Sequence, residues 1–354
     1  MKKRISLLVM VACVIVLTAC GSNKEKVELL NDPYMDQQFL MGTYVRMQIF
    51  DEGKEDVLKI AFDRVKALAD KITVNEKGSE IDKVNEASGL KPVKVSDDVY
   101  PLVKKAYQYS DEWNKGFDLS IGKITQLWHI GFDDARKPEQ SEIDDALKLI
   151  NYKDVELDDE KQTVFLKKKG MELDLGAIAK GYITDEVVKV MKKNDVTTAI
   201  IDLGGNVYVL GKSPRKSDGE WKVGIQDPNQ ARNTVVGSVT TSNKSLVTSG
   251  IYERNLTVNG ETFHHLFSPE TGYPFKNEIA GVSIISDRSI DGDGLSTSIF
   301  SMGLKDGLAH IDKLDNVEAI FVTKDDKVYI SKGLEGNFEL NKDSGYDLVK
   351  LKGK

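Results

Sequence analysis

Apolar positions recur along the chain with two different periods. Residues 54–71 carry Val57, Ile60, Ala61, Val65, Leu68 and Ala69 at helical spacing, and 98–113 repeat the pattern, which predicts two amphipathic helices early in the sequence. Residues 41–49 read as a strand, with Gly42 marking a place where something approaches the backbone closely. Strands are also predicted over 163–166, 199–202, 207–210 and 221–225, with Gly-rich or polar turns between them. The second half adds strands at 237–241, 246–248, 256–258, 282–285 and 319–323. Helices are expected over 185–192 and after Gly294. Strands in runs, interleaved with helices but without regular βαβ alternation, indicate an α+β fold of mixed, largely antiparallel sheets with packed helices.

The N-terminus has a different character. Lys2-Lys3-Arg4, an apolar run from Ile5 to Leu17 and then Thr18-Ala19-Cys20 read as an export signal over residues 1–19. The apolar run is shorter than the ~18–20 residues that span a bilayer. Leu17-Thr18-Ala19-Cys20 resembles the lipobox of bacterial lipoproteins, which implies cleavage before Cys20 and a lipid on its sulfur. Two acyl chains then hold the protein at the extracytoplasmic face of the cell membrane. Residues 20–37 are polar, include Asn31-Asp32-Pro33, and read as lipidated cysteine plus tether; 38–354 read as one folded domain with no clean internal boundary. Cys13 leaves with the signal, so the mature chain keeps one cysteine and forms no internal disulfide.

The formal charge of −7 becomes about −10 once Lys2, Lys3 and Arg4 are removed. An acidic chain without a basic stripe argues against a nucleic-acid partner, so any phosphate ligand must be met by local features.

Four strings carry candidate chemistry. Asp174-Leu175-Gly176-Ala177-Ile178-Ala179-Lys180-Gly181 runs from a strand end into a helix; Gly176 and Ala177 leave its start bare, where an anion can approach, and Lys180 lies one turn on. Asp174 reads equally as a helix cap. Asp202-Leu203-Gly204-Gly205-Asn206 offers either a close main-chain approach to a ligand or a hairpin turn. His264 and His265 are adjacent in an extended segment and so point to opposite faces, unsuited to sharing a metal; one of them facing a site suits a general base. In Asp291-Gly292-Asp293-Gly294-Leu295-Ser296-Thr297, Asp293 and Thr297 are four apart, so a carboxylate and a hydroxyl come together if a helix starts there, a donor pair that suits magnesium; Asp293 alternatively caps that helix. The same string fails as an EF-hand, because Phe300 falls where a bidentate glutamate is required.

These strings in this order, with Met41-Gly42-Thr43 ahead of them and Ser249-Gly250-Ile251-Tyr252-Glu253-Arg254 between, resemble the ApbE-type FAD:protein FMN transferases. The resemblance runs from about Phe39 to the helix after Thr297. It implies a T-fold-related architecture, FAD as substrate, Mg2+ as cofactor, and transfer of FMN to a Ser/Thr hydroxyl within a short motif of an exported acceptor protein, with AMP released. By position, it implies that Met41, Gly116, Phe117, Asp118, Asp174, Lys180 and Leu266 contact FAD. The carbonyl of Ala177, the carboxylate of Asp293 and the hydroxyl of Thr297 match metal ligands, and His265 matches the histidine acting in transfer. Ser268 departs from the family, which usually shows an aspartate before the proline.

Three other functions compete with the transferase: a penicillin-binding acyl-enzyme, suggested by Ser120-Ile121-Gly122-Lys123 but lacking the other motifs of that class; a lipid-anchored flavin receptor; and a redox flavoprotein that retains FAD. AMP release with FAD, magnesium and an acceptor separates the transferase from the last two.

Overall fold

The computed structural model describes residues 28–351 except 114 and 233. The signal, Cys20 and the first part of the expected tether lie outside the described residues. The remainder of that tether is corrected: Leu29–Leu40 is a strand, paired antiparallel with Thr43–Asp51. Asn31-Asp32-Pro33 and the lack of strict alternation hid it: as the edge of the sheet it has one strand neighbour, and its register is irregular between Leu29 and Tyr34, around Pro33. Met41 and Gly42 belong to the turn rather than to the predicted strand, with φ of +55° and +69°, as a two-residue hairpin turn of this hand requires.

Seven helices occur among the described residues: α1 (Asp56–Ile72), α2 (Glu80–Glu86), α3 (Tyr100–Trp113), α4 (Gly122–Trp128), α5 (Gln140–Leu147), α6 (Ala179–Lys193) and α7 (Ser289–Ile311). The central sheet has nine strands whose spatial order follows the chain: Leu29–Leu40, Thr43–Asp51, Ala199–Leu203, Asn206–Leu210, Lys244–Gly250, Ile279–Ser286, Glu318–Thr323, Lys327–Ile330 and Asp347–Leu348. Every neighbouring pair is antiparallel except the last, as the α+β reading expects.

Period-two alternation sends side chains into two cores. Val45, Met47, Ile49, Ala199, Ile201, Val282 and Ile284 meet a helical layer that includes α1, α6 and α7. Ile285, Ile320 and Val322 face the other way, onto a small sheet of Trp221–Gln226, Val235–Thr241 and Phe338–Leu340. With both faces covered, Ile279–Ser286 is buried along its whole length, hence its nearly unbroken apolar run.

A third cluster packs Trp128 against Ile124, Ile143, Phe263 and Phe267, joining α4 and α5 to the hairpin Asn255–Val258/Glu261–His264. The Trp128 indole N–H donates to the Gly272 carbonyl at 2.9 Å, fixing the segment that follows the two histidines. Ser268 holds that turn: its Oγ accepts from the N–H groups of Glu270 and Thr271 at 3.2 and 3.3 Å.

Candidate active site

α6 and α7 cross at Gly181, where a Cβ would lie 2.4 Å from the Ser289 carbonyl oxygen and 2.7 Å from Asp293 Cβ. Glycine permits that approach, and each helix then presents a carboxylate to the other's N-terminus. Asp293 of α7 accepts from the Gly181 N–H at 2.8 Å. Asp185 of α6 accepts from the N–H groups of Ser289 and Ile290 at 2.8 and 3.2 Å. Both carboxylates place negative charge where the helix has unpaired donors. Because α7 starts at Ser289, Asp293 lies inside it and does not cap it.

Gly181 is the third residue of α6, so its N–H has no partner within the helix and bonds Asp293 instead; the Ala177 carbonyl, just before the helix starts, has no hydrogen-bond partner among the described residues. One turn along α7 from Asp293, the Thr297 hydroxyl is partly exposed and likewise has no hydrogen-bond partner among the described residues. A carboxylate, a free carbonyl and a free hydroxyl form the hard-oxygen donor set that fits magnesium. Burial raises the pKa of the Asp293 carboxyl, opposed by Lys180 and by the N–H groups of Lys180 and Gly181.

Lys180 also acts electrostatically on His265 and Asp202. His265 sits with Nδ1 3.2 Å from the Arg254 carbonyl, which also accepts from its main-chain N–H at 3.3 Å. That contact places the ring proton on Nδ1 and leaves Nε2 as an acceptor. Burial, then Arg254, pull the His265 pKa down to about 3, so the ring is neutral. His264 points the other way: its Nε2 donates to the Phe275 carbonyl at 2.9 Å and its Nδ1 accepts from Leu266 N–H at 3.2 Å. The two rings therefore face opposite ways, His264 onto the Phe275 carbonyl and Leu266 N–H and His265 onto the Arg254 carbonyl.

The other positions sort themselves around this centre. The Met41-Gly42 turn lies beside Arg254 and next to the hairpin turn at Gly204-Gly205; the Gly204 N–H donates to the Tyr44 carbonyl at 3.1 Å. Asp174 accepts from the Gly176 N–H at 2.7 Å and the Thr125 hydroxyl at 2.6 Å, tying the approach to α6 onto α4; the helix proper starts only at Ala179, so Asp174 is not its cap. Gly116, Phe117 and Asp118 are buried, and Gly116 lies against Ser301 of α7. The Asp118 carboxylate is taken up by the Ser120 N–H and hydroxyl and the Tyr152 N–H at 2.8, 2.7 and 3.1 Å, so it organises its loop. Leu266 is buried in the main core directly after His265.

The Ser120-x-x-Lys123 string makes no nucleophile. Ser120 is fully buried, its hydroxyl bonded to Asp118, and Lys123 pairs with Glu172 at 2.7 Å. Sequence reasoning missed Gly181, Asp185, Thr125 and any role for Arg254. Only Gly181 carried a signal: a glycine inside a helix costs about 1 kcal/mol relative to alanine and so points to close packing.

An α+β scaffold that places oxygen donors, cations and a neutral imidazole around one helix crossing defines a class, and the chain belongs to the ApbE family, whose model matches residues 41–321 and so includes every candidate site residue. A relative from Klebsiella pneumoniae (strain 342), an FAD:protein FMN transferase, is 37% identical over 319 residues, covering 90% of this chain and 98% of the relative. Another FAD:protein FMN transferase, from Treponema pallidum (strain Nichols), is 31% identical over 346 residues, 94% of each chain. The crystal structure of an ApbE protein from Thermotoga maritima matches with a TM-score of 0.79 at 27% identity, covering 86% of this chain and 99% of that one.

Proposed function

We propose that this protein transfers FMN from FAD to a Ser or Thr hydroxyl of an exported acceptor protein, forming a phosphoester and releasing AMP, with magnesium as cofactor. The observation that carries the reading is a set of oxygens at the α6–α7 crossing: the Asp293 carboxylate, which accepts from the Gly181 N–H, and the Thr297 hydroxyl and Ala177 carbonyl, neither of which has a hydrogen-bond partner among the described residues, with Lys180 acting electrostatically on both Asp293 and His265. Asp293, Thr297 and the Ala177 carbonyl would hold the ion. Bound there, magnesium would neutralise charge on phosphate oxygens and on the departing phosphate.

The chain's own groups supply the rest. His265 Nε2 accepts the proton of the acceptor hydroxyl as its oxygen bonds to the phosphorus of the FMN half and the pyrophosphate P–O bond breaks. In the free protein burial and the adjacent cations depress the basicity of this imidazole. An anionic pyrophosphate alongside acts in the opposite sense, so substrate binding strengthens the base. Lys180 and the N-terminus of α6 supply positive potential to the phosphates. The Leu-Thr-Ala-Cys20 string supports anchoring at the extracytoplasmic face of the membrane, where an exported acceptor is accessible.

The test is to incubate the protein with FAD, magnesium and exported candidate acceptors, following AMP release and acceptor mass. A mass gain equal to an FMN phosphoester, lost with chelator, is expected. Without AMP or mass gain from an acceptor that the Klebsiella relative flavinylates, the reading fails. His265→Gly should bind FAD and transfer nothing, and Asp293→Ala should lose magnesium-dependent turnover.

A further inference from the structure

Arg254 contributes its carbonyl to His265, yet its side chain is the more informative part. It lies along a lane left by two glycines: a Cβ on Gly42 would be 3.7 Å from Arg254 Nη2, and one on Gly131 would be 2.9 Å from its Cδ. Both glycines have positive φ, +69° and +102°. After burial, this arginine is the strongest influence lowering the basicity of His265. Among the described residues no carboxylate lies within ion-pair distance of its guanidinium. Nearby arginines differ: Arg232 pairs with Glu253 at 3.0 Å and Arg46 faces Asp202 at 3.8 Å.

An uncommitted cation beside a general base weakens that base unless an anion lies between them. We propose that Arg254 is a catalytic residue whose guanidinium binds the non-bridging oxygens of the phosphoryl group while it is transferred. The inference rests on the transferase reading. A planar fork of N–H donors matches two such oxygens, which a single ammonium cannot do. As the acceptor oxygen bonds to phosphorus and the pyrophosphate P–O bond breaks, the acceptor proton passes to His265 Nε2 and AMP carries away the electron pair. Arg254 neutralises charge on the group in flight. Lys180 approaches from α6, beside Asp293, so the two cations flank the reacting centre from different elements.

The test compares Arg254→Met and Arg254→Lys with the wild-type full chain, reading kcat and KM for FAD from AMP release and FAD affinity from quenching of flavin fluorescence. For Arg254→Met, kcat is expected to fall on the order of 10²–10³-fold, the typical cost of removing one transition-state donor. FAD affinity should change by less than about tenfold, because the interaction strengthens in the transition state. Arg254→Lys should recover part of kcat, keeping the charge but losing the fork, and it serves as the folded comparison if the methionine variant is unstable. A methionine variant with kcat within about threefold of wild type overturns the proposal, as does a loss confined to KM with kcat intact. If wild type itself releases no AMP, the transferase reading fails instead.

Discussion

Gly181→Ala is the substitution that tests the α6–α7 crossing. The added Cβ would meet the Ser289 carbonyl oxygen at 2.4 Å, Ile290 Cα at 2.7 Å and Asp293 Cβ at 2.7 Å. None of these is the end of a flexible side chain, so the helices must separate by roughly 1 Å to restore ordinary contact distances. Overpacking of this kind costs about 1–3 kcal/mol. The 2.8 Å bond from Gly181 N–H to Asp293 weakens as well, and a hydrogen bond to a charged group contributes about 1.5–3 kcal/mol. Against this, alanine is favoured over glycine in a helix by about 1 kcal/mol. The balance is a loss of about 2–4 kcal/mol, read as a lower urea midpoint. Turnover should fall as well, on the order of 100-fold, because Asp293 moves relative to the Ala177 carbonyl and displacements near 1 Å are costly in an active site. A variant with an unchanged urea midpoint and normal AMP release would refute both the contact and the placement of Asp293.

Other outcomes follow from the charge network and the histidine pair. Arg64 bonds Asp98 at 2.7 Å and also Glu186, and Lys71 bonds Asp98 at 2.6 Å, joining α1 and α6 to the segment before α3. These cations hold the Asp98 pKa down to about 2, below its ordinary 3.8. Its stabilisation is therefore present above pH 4 and lost as pH falls toward 2. Asp98→Asn should cost at most about 2 kcal/mol at pH 7, with the gap to wild type closing in urea titrations over that window. Burial lowers the His264 pKa to about 4, so neutral His264 stabilises the fold fully above about pH 6.5 and progressively less as pH falls toward 4. His264→Gln should flatten that part of the stability profile, and an unchanged slope would remove His264 from the account. A fluorescent penicillin should leave Ser120 unlabelled, since its hydroxyl is buried and bound to Asp118; labelling detected by mass spectrometry would contradict the loop geometry.

Local pattern determined much of this protein. Apolar spacing placed α1 and α3 to within two residues and the strand Thr163–Leu166 at its observed limits, because one buried face imposes its period on the side chains that fill it. Adjacent histidines had to face opposite ways, and the carboxylate and hydroxyl at Asp293 and Thr297 had to share a helix face once a helix formed there. The ordered strings also carried the family resemblance. Tertiary structure alone decided the rest. The edge strand Leu29–Leu40 has apolar and polar residues without strict alternation and exists through pairing with Thr43–Asp51, which no periodicity within it announces. Which histidine faces the site depends on Phe275 and Arg254, and Ser120 is disqualified by Asp118 and by its burial. Most of all, two helices meeting at a glycine bring the Gly181 N–H to a carboxylate 112 positions away, a contact that no local pattern announces. Sequence fixes which groups are available; hydrogen-bond partners distant in the chain fix which of them are left free to do chemistry.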